Sequence, residues 1–134
     1  MVRLLLTLLL VLSFQFNAVA KGIYQTSKQF VSHAFKGETP KAKVLWLSAD
    51  DKVAMSEIMS HQYKRLRLRY WQKNDETVWV IDEIGKEKPI TIGVHIKKEQ
   101  VVELKVLAFR ESRGDEVRHD FFTNQFKSAS LTKE

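Results

Sequence analysis

The chain has 134 residues, a formal net charge of +6 and no cysteine. That length suits one domain around one core, and the missing cysteine excludes disulfides, thiolate metal sites, a cysteine nucleophile and attachment of a c-type haem. The basic balance favours anionic partners such as phosphate groups, acidic proteins or lipid head groups.

Residues 1–20 have the order of a secretory signal peptide: Arg3, an apolar run from Leu4 to Phe16, then the small residues Ala18, Val19 and Ala20. As a helix that run is too short for the ~30 Å hydrocarbon core of a bilayer. It therefore predicts export with cleavage before Lys21, a periplasmic location and no stable membrane span. Nucleic acid is not an expected partner in that compartment.

From Tyr24 to Phe35, Phe30, Val31, Ala34 and Phe35 fall at helical spacing, with Gly37 and Pro40 as stop signals. A short strand is expected around Val44, Leu45 and Trp46, and a second helix capped by Ser48 or Asp50 and ending near His61. The period then changes to two. Leu66, Leu68 and Tyr70 share one strand face and Arg65, Arg67 and Arg69 the other, which reads as the wet side of a half-buried strand.

Asn74-Asp75 is turn chemistry, and Thr77 to Ile84 is apolar on both sides, as a central strand should be. Ile90, Ile92, Val94 and Ile96 alternate with Thr91, Gly93, His95 and Lys97 in the next strand. Gly93 there marks either a bulge or a close approach to the backbone. After a polar tip at Lys98-Glu99, Val101 to Phe109 forms another strand. A polar loop, Arg110 to His119, precedes a short helical segment in which Phe122 and Phe126 are four apart. The expected fold is α+β, an antiparallel four-strand meander with two N-terminal helices and a short C-terminal helical segment. Trp46, Trp71 and Trp79 are expected mainly to supply core area, and Lys127 to Glu134 to fray.

Two stretches carry a family likeness: Thr77 to Gly93, and Phe109-Arg-Glu-Ser-Arg-Gly-Asp-Glu-Val-Arg118 followed by Phe121-Phe-Thr-Asn-Gln-Phe126. Together they resemble FMN-binding domain proteins, above all the small stand-alone periplasmic members. A more distant similarity is to the flavin-carrying subunits of the sodium-pumping quinone reductase and of the Rnf complex. Glu111-Ser112-Arg113-Gly114 stands where the distant members have Glu-Thr-Pro-Gly, and Phe122 to Phe126 matches a Phe-x-x-Gln-Phe pattern.

The resemblance implies a domain over residues 21–134 that holds FMN and passes electrons between redox partners, with the cofactor supplying the chemistry. It implies cofactor-lining roles for Glu111, Ser112, Arg113, Gly114 and Gln125, and possible partnership with a redox protein and a flavin transferase. Family members continue to a Gly-Ala-Thr type motif whose threonine is joined to the FMN phosphate. No such motif occurs here, and Ser128 to Thr132 lacks the glycine that would let a backbone nest approach a phosphate. The domain thus reads as C-terminally incomplete and any FMN as non-covalent. The alternatives are a flavin-free binding module or a truncated, non-functional remnant.

Arg110, Arg113 and Arg118 lie close enough in sequence to meet a phosphate, or to form a solvated loop. The four histidines lack the spacing of a metal site. Asp82 and Glu83 project to opposite strand faces and cannot flank one bond. With no nucleophile elbow and no Walker loop, independent catalysis is not expected and no catalytic residue is assigned.

Overall fold

A computed structural model describes residues 22–130 of the chain. The signal-peptide reading of residues 1–20, the start at Lys21, and Thr132 lie outside the described residues.

Thr26 opens the first helix, α1 (Ser27–Ala34), through a capping box: its hydroxyl accepts from the Gln29 backbone N–H at 3.2 Å, and the Gln29 side chain accepts from the Thr26 N–H at 2.9 Å. The chain leaves α1 through Lys36 and Gly37, both at positive φ. Strand β1 (Lys43–Trp46) leads to α2 (Ala49–Met59), where Ser48 is the cap because the Asp51 carboxylate reaches back to its N–H at 2.8 Å. Four longer strands follow: β2 (Arg67–Lys73), β3 (Glu76–Ile84), β4 (Pro89–Lys97) and β5 (Gln100–Phe109). A 3₁₀ turn (Asp115–Arg118), a one-turn helix α3 (Asp120–Thr123) and a second 3₁₀ turn (Asn124–Phe126) close the chain.

The class is α+β, but the sheet has five strands, not four. It is open and antiparallel in the order β1-β2-β3-β4-β5. The added strand is β1, which pairs with β2 from Lys43↔Tyr70 to Trp46↔Arg67. Pairing satisfies backbone groups on the outer edge of β2 that a four-strand sheet would leave open. Between β4 and β5, Lys98 and Glu99 both take positive φ, as a two-residue hairpin turn matched to strand twist requires.

The free edge of β5 is tied at both ends. Opposite Thr91 and Ile92 the register slips, leaving Leu107 as an extra residue whose carbonyl accepts from Tyr24 N–H at 2.9 Å. Phe109 N–H donates to Gly22 O at 2.7 Å on the same side. At the other end Val101 N–H donates to Ala129 O and Ser128 N–H to Val101 O, both at 2.8 Å. Residues 128–130 therefore extend the pairing, contrary to the expectation that they fray.

The core lies between α1 and one sheet face, where Phe30, Val31, Phe35, Val78 and Leu107 cluster with Trp71 and Val80 at the margin. Strand pairing sets Val44, Arg69, Val80 and Gly93 in one row across the sheet. Phe30 sits directly on Gly93, where a Cβ would come within 2.5 Å of its ring. Gly93 is thus a close approach of ring to backbone, and the helix rests on the Thr91-Gly93-His95 face of β4. The isoleucine-rich face is opposite and only partly buried. Trp46, expected inside, is 64 % exposed beneath the Arg67 guanidinium.

His95, on the helix side, is buried with no partner for its Nε2. Burial holds its imidazole below the ordinary pKa of about 6.5, against the opposing pull of the Glu76 and Glu103 carboxylates; Lys97 and His33 act with burial. Below pH ~6.5 the unfolded chain takes up this proton more readily than the folded one. The stability linked to neutral His95 is therefore full above that pH and is lost as pH falls through the lowered folded value. Thermal melts should show Tm falling between pH 7.5 and 5.5, and His95→Leu should flatten that slope. An unchanged slope in the variant would assign the pH dependence to other groups.

Candidate functional site

The loop beyond β5 is organised by Glu111. Its Oε1 accepts from the backbone N–H groups of Glu87 at 2.6 Å and Lys88 at 2.8 Å, in the connection between β3 and β4. These bonds hold the Glu111 carboxyl below the usual carboxylate range. Glu111 therefore clamps two segments far apart in sequence. Ser112 and Arg113 are exposed. Gly114 takes φ 90°, a left-handed conformation that opens the 3₁₀ turn after it.

Arg118 does not join Arg110 and Arg113 in one cluster. Its guanidinium lies over the Tyr24 ring at 4.6 Å, with Nε 3.6 Å from Asp115. Gln125 is exposed on the last 3₁₀ turn, between Phe122 and Phe126, whose rings meet edge-on at 5.6 Å. Glu111 to Gly114 thus form one continuous loop, while Gln125 belongs to a separate turn.

A second arrangement unites residues that the sequence keeps apart. Because α1 covers the sheet over Gly93, the β1-β2-β3 end of the same face stays open as a cleft of about 490 Å³. Arg65, Arg67, Arg69 and Arg110 line it, with Asp82 and Thr91, over Val44 and Val80. Arg110 is placed by Nη1, which donates to Pro89 O and Thr91 Oγ1, both at 3.0 Å. Thr91 in turn donates to Asp82 Oδ1 at 2.6 Å, and Asp82 Oδ2 lies 3.7 Å from Arg65. The one carboxylate in the lining is thereby held by Thr91 and Arg65, whereas Arg67 and Arg69 form no ion pair among the described residues.

No family model, curated protein or solved structure matches this chain. Three further clefts are lined mainly by mixed charges and by helix or loop surface. Glu111, Ser112, Arg113, Gly114 and Gln125 line none of the four; only the neighbouring Arg110 does. Among the described residues no three His, Asp or Glu side chains stand together as a metal site, and no helix is long and apolar enough to cross a membrane.

Sequence reading assigned the arginine stripe of β2 to the wet side of its strand. Arg67 and Arg69 are indeed exposed and Leu68 between them is buried, but Arg69 pairs with Val80 and Trp71 with Val78, so the stripe lies on the sheet face that α1 covers farther along. The signal that could have shown this is Trp71, in phase with the arginines and large enough to mark the covered face.

Proposed function

We propose that this chain is an exported FMN-binding domain protein of periplasmic electron transfer, holding its flavin without a covalent bond at the Glu111–Gly114 loop. The reading rests first on the resemblance of Thr77 to Gly93 and of Phe109 to Phe126 to that family. The structural observation that supports it is the Glu111 clamp, which joins those two stretches at one end of the sheet. Gly114 adds a backbone conformation that lets a loop pass close to a flat ligand.

In this reading FMN supplies the redox chemistry when bound. Ser112 and Arg113 offer polar groups on the solvent side of the loop, while Glu111 sets its position and Gln125 contributes from the neighbouring turn. The protein acts as a carrier for a redox partner. Export rests on the order of residues 1–20, and a flavin transferase remains a candidate partner for forms of the domain that bear the threonine motif.

The test is a titration of the purified protein into FMN, followed by flavin fluorescence. Saturable quenching is expected, with Glu111→Ala weakening it about tenfold, roughly 1.4 kcal/mol of binding free energy. Absence of quenching by the folded protein would exclude the flavin reading. It would favour a flavin-free binding module, for which the arginine-lined cleft is the specific observation.

A further inference from the structure

The cleft on the open end of the helix-bearing face carries an inference that does not depend on flavin. We propose that it is a binding site for the phosphate group of a small organic phosphate monoester. Four guanidinium groups line it against a single carboxylate. Burying such a lining without a counter-charge would be costly, whereas leaving it open as an anion site uses the charge directly.

The positions suit a divalent anion. Arg67 and Arg69 are two residues apart on one face of β2, so their stems rise about 7 Å apart along the strand. Arg110 reaches the cleft from beyond the end of β5, held through Pro89 and Thr91. Arg67 lies over the exposed Trp46 ring, a stacking contact that limits its freedom. A guanidinium fork presents paired donors to phosphate oxygens, and its charge persists at any physiological pH.

The rest of the lining argues for an ester over free phosphate. A volume of about 490 Å³ exceeds what the anion alone fills, and the row through Val44 and Val80 gives the remainder an apolar floor. Asp82 opposes an anion, but its oxygens face Thr91 and Arg65. The asymmetry yields a prediction of opposite sign: removing the Asp82 charge should tighten binding.

Calorimetric titration of the full chain with phenyl phosphate and with inorganic phosphate at low ionic strength tests the site, with amide shifts mapping it. One saturable site is expected, tighter for phenyl phosphate, with shifts confined to Arg65–Arg69, Val80 and Thr91. The double variant Arg67→Gln/Arg69→Gln should weaken binding at least tenfold. Asp82→Asn should strengthen it several-fold. The charge-matched variant Lys41→Gln/Lys127→Gln should bind as the parent does, which separates a site from net charge. Equal weakening in both double variants, or diffuse non-saturating shifts, would overturn the proposal. So would binding only to vesicles containing an anionic lipid. Phosphate binding with no FMN quenching would uphold the cleft and reject the flavin reading; FMN quenching without phenyl phosphate binding would do the reverse.

Discussion

Phe30→Ala is expected to destabilise the domain by about 3–5 kcal/mol, the usual result of emptying a buried aromatic site. Phe30 is fully buried between α1 and the sheet, among Val31, Phe35, Val78 and Leu107. Its ring is the group nearest the open side of Gly93, so collapse around alanine would require α1 to move toward the sheet. A small domain has roughly 5–15 kcal/mol in total, so urea unfolding should show a large fall in midpoint with little change in slope. A loss below about 1 kcal/mol would mean that α1 does not dock on this face.

The reciprocal change, Gly93→Ala, should cost about 3 kcal/mol, the upper end of the range for overpacking. A methyl group at Gly93 would stand 2.5 to 2.9 Å from three carbons of the Phe30 ring. The ring is enclosed by its neighbours and cannot swing aside. The coupling is specific: in a Phe30→Leu background the shorter side chain leaves room, and Gly93→Ala should cost at least 1 kcal/mol less, within the range for residues in contact. Additive effects would show that the helix and β4 are not in direct contact through this pair.

These two residues also show what the sequence could convey. Both N-terminal helices were legible, the first from the helical spacing of Phe30, Val31, Ala34 and Phe35 and the second from Ser48 as a candidate cap, and the structure adds a capping box at each through Gln29 and Asp51. The β2–β3 turn was legible at Asn74, which takes positive φ. Alternation along β4 was equally clear, yet it could not say which face a helix would cover. The apolar face, Ile90 to Ile96, is only partly buried. The structure instead uses the smaller side chains of Thr91 and Gly93, because Phe30 needs the space a glycine leaves. Burial here follows shape complementarity over hydrophobicity.

The candidate site was legible only in part. Glu111 and Gly114 were identified from the family likeness, and the chain gives each a definite role, the first as a clamp and the second as a left-handed hinge into the following turn. The role of Glu111 depends on backbone donors more than twenty residues away, which no local pattern could supply. The meeting of Arg110 with Arg65, Arg67 and Arg69 depends on the registers that align β2 with β3 and β3 with β4, and on where α1 stops covering the sheet. β1 was seen as a strand, but its partner is set by the return of the chain through α2 to β2.

The most direct measurement of the central claim is the visible absorption of the purified protein after periplasmic co-expression with a flavin transferase, before and after denaturation and filtration. The account predicts a yellow folded protein whose colour passes entirely into the filtrate. A colourless folded protein would contradict flavin binding, and colour retained by the denatured chain would contradict the absence of a covalent bond.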